Sequence, residues 1–319
     1  MTGKNSVEAD EISELFAVVA ARNFSGLRKF LPQSINHYQK SDLMDIHHVA
    51  AFSYLNTGGN PAGVGLCDRL PDAEFMQKMA SELGYSETVF AAPEGNGWRV
   101  RYFAPAMEVD FCGHATIALG AVLAHQHGDG DFALHLNRAD ITVKGYYTER
   151  EWGAAFISPR TCSKHATSKA LQDALSLFGL SHDKLDPNIP PAVAHGGGDH
   201  LILALRDRET LKAMAYDLAK GEKLARREGY TTFSLIFAEN SRFFHVRNPF
   251  PAGGIYEDPA TGAAAAALAG YLRDISWPHG GSVEISQGED MGVPSRLLVN
   301  ISPERGGGVQ VAGSVRRLR

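Results

Sequence analysis

The chain has 319 residues, 44% of them hydrophobic and 21% charged, with a formal net charge of −5. That length supports one large core or two, and scattered Lys and Arg leave no basic face for nucleic acid. Three widely spaced cysteines, Cys67, Cys112 and Cys162, suit neither a disulfide framework nor a zinc cluster and fit a reducing, cytoplasmic setting.

Residues 1–43 read as an extension. Ile12, Leu15, Phe16 and Val19 fall at helical spacing behind an acidic first turn, and Phe24, Leu27, Phe30 and Leu31 prolong the pattern before Pro32. The apolar run from Leu15 to Ala21 follows acidic residues, where a signal peptide needs positive charge. The longest uncharged run, Phe111 to His127, is too short and too polar to span a bilayer. Neither export nor a membrane partner is expected, and small molecules are the default ligands.

From Met44 the chain alternates strands and helices. A strand, MDIHHVAAFSY, leads into the turn-rich LNTGGNPAGV. Its glycines lack the lysine and spacing of a phosphate loop. Asp72 N-caps a helix to Leu83 with Phe75, Met76 and Met79 inward, and Gly84 stops it. SETVFAA, WRVRYFAP, Phe132 to Val143 and Gly153 to Ser158 read as strands, and Pro159 to Thr167 as a boundary. A helix over Ser168–Phe178, a loop from Asp186 to Gly198, the buried strand HLILAL and a helical pair between Arg208 and Glu228 follow. TTFSLIFA, FFHVRNPF, SVEISQG, RLLVNIS and VQVAGSVRRL complete the strands, and the length and alternation of the last suit a return to the first half.

Two stretches stand out. FCGHATIALGAVL, from Phe111 to Leu123, and TGAAAAALAGYL, from Thr261 to Leu272, align so that Gly113 pairs with Gly262. Each begins with glycine and runs three turns without charge. A helix that is small and apolar all round must be covered on every side, which strands wrapped about it would do. The pattern predicts an α+β fold of two similar halves, each with strands wrapped about a central helix. The boundaries are 44–158 plus about 306–319 for the first and 159–305 for the second. Two helix starts facing each other would offer backbone N–H groups to a carboxylate.

GNPAGV, SETVF, RYFAPAMEVDFCGHAT, EDPATGAAAAALAGYL and QGEDMGVPSRLLV, in that order, resemble the PhzF-like proteins of phenazine biosynthesis, relatives of diaminopimelate epimerase and proline racemase. The likeness spans about Met44 to Arg319. It implies the diaminopimelate epimerase-like fold of two similar domains, each a curved mixed sheet around a central apolar helix, with a ligand between the domains, homodimers, and isomerase chemistry without metal or organic cofactor. It makes Glu87 of the SET motif the acid/base residue. Gly113 and His114 are its neighbours at the first helix start, and Asp258 and Gly262 at the second. Ala263 stands where the family often has Ser, and Val293 where it often has Arg, so the substrate-binding end departs from the pattern.

As chemistry, a carboxylate at Glu87 can lift a proton from carbon and return it. His114, at a helix start, tends to the neutral form and can donate a hydrogen bond. Asp258, before Pro259, can N-cap the second helix, orient His114, or do both. Cys112 is expected to be a small buried residue, since no thiol is available in the second half to make a racemase-like pair. His47, His48, His195 and His200 lack ligand spacing and are expected to be structural or surface residues. The expected function is a cofactor-independent isomerase moving a proton on a small carboxylated metabolite. The alternatives are a racemase or epimerase of an amino or hydroxy acid, and a non-catalytic acid-binding protein.

Overall fold

The computed structural model describes residues 45–147 and 152–318; the extension expected at 1–43 lies outside them. The first part contains β1 (Asp45–Ser53), β2 (Asn60–Leu66), α1 (Ala73–Leu83), β3 (Glu87–Glu94), β4 (Gly97–Ala104), β5 (Met107–Val109), α2 (Gly113–His127), β6 (Gly130–His135), β7 (Asp140–Tyr147) and β8 (Trp152–Ile157). The second contains β9 (Cys162–His165), α3 (Ser168–Phe178), β10 (Ala192–His195), β11 (Asp199–Ala204), α4 (Arg208–Lys212), α5 (Leu218–Glu228), β12 (Thr232–Ala238), β13 (Phe243–Arg247), α6 (Gly262–Asp274), β14 (Ser282–Gln287), β15 (Ser295–Asn300) and β16 (Gln310–Arg317).

Helix ends follow their capping chemistry. The Asp72 carboxylate accepts from the Phe75 amide, and Gly84 takes the left-handed conformation that closes α1. Thr167 and Gly179 do the same for α3. Neither α2 nor α6 has a side-chain cap. They are held by burial instead: every residue of α2 from Gly113 to Ala124 is buried, and α6 is buried from Ala264 to Arg273. Enclosing Ile117, Leu119, Val122 and Leu123 contributes roughly 1.5–3 kcal/mol each.

The enclosure comes from one continuous mixed sheet. Strands β1, β2, β3, β4, β6, β7 and β8 pair in that order, β8 pairs with β16, and β16 pairs back onto β1. This closed run surrounds α2, which packs on β1, β2, β7, β8 and β16. From β15 the sheet continues through β14, β13, β12, β11 and β10 to β9, and α6 packs on β9, β10, β11 and β15. Strand β16 serves both wraps: Val311 pairs with Val299 on one side and Phe156 on the other, while Arg316 pairs with Ala50. The closing strand thus does return to the first half, as its alternation suggests.

Several strands depart from the sequence expectation. Asn60–Leu66, within a stretch read as a turn-rich loop, is β2, antiparallel to β1 and parallel to β3. Its small residues Ala62, Gly63 and Gly65 lack the bulky alternation that marks a strand, and tertiary pairing overrides their weak β-propensity. The single strand expected over Phe132 to Val143 is a hairpin, β6 and β7, turning where the Leu136 amide donates to Ala139. Strands β9 and β10 arise inside the expected boundary and loop because they pair with each other, and β10 also with β11.

One tight seam lies between α2 and the sheet. A Cβ at Gly145 would sit 2.1 Å from the Gly120 carbonyl oxygen. Because that neighbour is backbone, Gly145→Ala should cost about 2 kcal/mol or more, read as a lowered urea midpoint; an unchanged midpoint would show the helix free to move away.

Candidate functional site

The starts of α2 and α6 meet. A Cβ at Gly113 would lie 3.2 Å from the Gly262 Cα, and one at Gly262 would lie 3.4 Å from the Gly113 Cα. The Phe156 ring touches both positions. The fit is tight at Gly113, where a side chain would need its neighbours to shift by a few tenths of an ångström, and is ordinary contact at Gly262. The expected pairing of Gly113 with Gly262 is therefore a spatial contact as well as an alignment. Ala263 stands beside it, its amide nitrogen 3.4 Å from the Gly113 Cβ position.

Around this contact the structure gathers the other candidates. Glu87 opens β3, directly opposite Ala62 of β2, and is buried. Its Oε2 lies 3.5 Å from His114 Nε2. The same nitrogen is 3.2 Å from Ser86 Oγ, and His114 Nδ1 is 3.3 Å from Cys112 Sγ. Ser86 donates to Asn60 Oδ1 at 3.2 Å, and Asn60 Nδ2 donates to Asp258 Oδ1 at 2.7 Å. Asp258 is thus connected to His114 through Asn60 and Ser86.

Asp258 does not N-cap α6; Thr261 holds that position. The Thr261 hydroxyl donates to Asp258 Oδ2 at 2.5 Å instead of capping its own helix. Gln287 braces the same turn: its Nε2 donates to the Asp258 carbonyl at 2.7 Å and to Thr261 Oγ1 at 3.1 Å. Asn60, Ser86, Thr261 and Gln287 sit inside the quoted motifs but were not singled out as site residues. Ser86 adjoins Glu87 and Thr261 adjoins Gly262 in the sequence, whereas Asn60 and Gln287 adjoin no candidate and leave no such signal.

Burial shapes the electrostatics. It pushes Asp258 up to about 7, with the Glu87 carboxylate adding and hydrogen bonds from Thr261 and Asn60 opposing. Burial holds His114 below its ordinary value, the nearby Glu87 acting against it. The Cys112 thiol is raised well above its usual range by burial first and Glu87 second. Glu87, Cys112 and His114 each bring one possible ligand atom to within 4.8 Å of the others. A metal would need the thiolate, which this environment disfavours, so the set fits an ion less well than its distances alone suggest.

Among the described residues, Glu87 forms its ion pair with His114, and none involves Asp258. A cavity of about 460 Å³ lined by Cys162, Lys164, Tyr271 and Arg305 shares no residue with this cluster. Also among the described residues, no helix is long and apolar enough to cross a membrane.

The family model described as phenazine biosynthesis-like protein matches residues 49–316. An uncharacterized isomerase of Deinococcus radiodurans is 33% identical over 300 residues, covering 90% of this chain and 94% of its own. A PhzF-family phenazine biosynthesis protein of Bacillus anthracis superposes with a TM-score of 0.76 at 21% identity, over 86% of this chain and 97% of its own. A hydroxyproline epimerase of Agrobacterium vitis, solved with trans-4-hydroxy-L-proline, gives 0.60 at 9% identity over 86% and 89%, a likeness of fold. The chain belongs to the phenazine biosynthesis-like family, with the α+β fold that family shares with the proline racemase group, and it is an isomerase by class.

The elevated Asp258 value has a measurable consequence. An aspartate near 3.9 when unfolded and near 7 when folded keeps its proton only in the folded chain across that interval, so its contribution to stability falls as pH rises through it. Asp258→Asn removes this loss. Between pH 5 and 8 the variant should gain about 2–3 kcal/mol on wild type, measured by urea unfolding. Parallel pH profiles for the two proteins would rule out Asp258 as the titrating group.

Proposed function

We propose that this member of the phenazine biosynthesis-like family is a cofactor-independent isomerase that moves a proton on a small carboxylated metabolite. The acid lies between two lobes, 44–158 with 306–319 and 159–305, in a cytoplasmic homodimer. The observation that carries the proposal is the convergence of Glu87 and His114 on the point where Gly113 meets Gly262.

The substrate carboxylate is held by first-turn amides of the two helices, beginning at Gly113 and Gly262. Helix starts suit an anion because their N–H groups and dipoles both face it. They are also the donors at hand where Val293 and Ala263 stand in place of a cation and a hydroxyl. The Glu87 carboxylate takes a proton from a carbon acidified by an adjacent unsaturated system. The C–H electron pair delocalises into that system, and the Glu87 carboxyl then returns the proton to another carbon, leaving the enzyme unchanged. His114, kept neutral by burial, carries its one hydrogen on Nε2, beside Ser86 and the Glu87 carboxylate, and orients that base. Asp258 holds the second helix entrance through Thr261 and joins it to the first through Asn60. Exclusion of water strengthens each of these interactions.

A racemase or epimerase using two thiols fits less well. The residues at the start of the two helices are Cys112 and Thr261, so one side has a thiol and the other a hydroxyl committed to Asp258. A binding protein without turnover would use the same anion site and leave Glu87 idle.

Incubation in deuterium oxide with a panel of unsaturated, amino and hydroxy carboxylic acids separates these readings, because an isomerase or racemase introduces deuterium at carbon and a binder does not. Wild type should label an unsaturated acid, and Glu87→Gln should slow that labelling by about 10²- to 10⁴-fold; equal rates would remove Glu87 from the mechanism. Cys112→Ala should keep most of the labelling, whereas its abolition in a folded variant would restore the thiol mechanism.

A further inference from the structure

His200 is fully buried on β11, and among the described residues no partner reaches its Nε2. Its Nδ1 lies 2.7 Å from the hydroxyl of Thr232 across the parallel β11 and β12 pair. The Thr232 hydroxyl donates to Asn248 Oδ1 at 3.3 Å, and Asn248 Nδ2 donates to Thr261 Oγ1 at 2.7 Å. Thr261 then donates to Asp258 Oδ2.

Counting donors fixes the direction of this chain. Thr261 Oγ1 already accepts from Asn248 and Gln287, which uses both lone pairs and leaves its one proton for Asp258. Thr232 spends its proton on Asn248, so it must accept from His200, which therefore carries hydrogen on Nδ1. A second chain reaches the other oxygen of the same carboxylate: Ser86 donates to Asn60, so His114 Nε2–H must donate to Ser86, and Asn60 donates to Asp258 Oδ1.

We infer that Asp258 is the common acceptor of two one-way hydrogen-bond chains, and that His200, Thr232 and Asn248 are positioning residues that orient its carboxylate toward the helix starts. The inference rests on the preceding subsection for Asp258 as a site residue, but its chains stand on geometry of their own. Successive donors polarise one another, so Thr232, three hydrogen bonds from Asp258, still favours its charged form. The chains oppose the other influences on that carboxyl: burial, the Glu87 carboxylate, and Glu257, which is itself paired with Arg247. Cys112 and His114 approach from α2, His114 through Ser86 and Asn60. The amide of Asp258 is held by the Asn248 carbonyl at 3.0 Å, so Asn248 fixes both its backbone and, through Thr261, its side chain.

The test needs no substrate. In protein labelled with ¹³C at the aspartate carboxyl, with the Asp258 signal assigned by its loss in Asp258→Asn, Thr232→Val should raise the Asp258 midpoint by about half a pH unit. Thr232→Ser, which keeps the hydroxyl, should restore it. In wild type at pH 9, ¹⁵N spectra should show His200 protonated on Nδ1 and bare on Nε2. An unmoved midpoint in Thr232→Val, or a His200 protonated on Nε2 at that pH, would overturn the proposal. The histidine spectrum decides even if the valine variant does not fold. Failure of Glu87→Gln to slow deuterium labelling would instead sink the isomerase mechanism and leave these chains standing.

Discussion

The close approach of Gly113 to Gly262 is the constraint from which the rest of the architecture follows. Two helices without a polar face cannot lie on a surface, so strands must surround each of them. When both helices also begin at the same point, the strands around one must run on into those around the other. The shared strand β16 is the physical result, paired on one side to the wrap around α2 and on the other to the wrap around α6. A methyl group at Gly113 would press on Gly262 and the Phe156 ring at 3.2 Å, so that seam would have to give by a few tenths of an ångström.

Placing polar groups at such a seam is costly unless each has a partner. The chain meets this by diverting side chains from their usual local roles. Thr261 could cap α6 but turns its hydroxyl to Asp258. Cys112, in the equivalent position on α2, faces His114. The two entrances are alike in backbone and different in chemistry, one a thiol beside imidazole, the other a hydroxyl beside carboxylate. That asymmetry leaves a symmetric pair of thiols without its second member.

Sequence alone was enough for the parts governed by local rules. The two uncharged helices, the cap residues Asp72 and Gly84, and the strands with strong alternation are all visible because burial and capping leave periodic or positional marks. It also suggested, from the alignment of Gly113 with Gly262, that two glycines would answer one another. The ordered motifs further carried the resemblance that the family match bears out.

Only tertiary structure decided the remainder. Strand β2 is a strand because β1 and β3 lie on either side of it, not because Asn60–Leu66 favours one. The role of Asp258 was open between capping and orienting, and the choice depended on where Thr261, 3 residues away, and Asn60, 198 residues away, would lie. His200 gave no local signal at all, since a histidine in an apolar strand looks the same whether its ring nitrogen meets a hydroxyl chain or nothing. Hydrogen bonds between side chains far apart in sequence leave no period or spacing to read, and it is these bonds that join the two halves of this protein at its site.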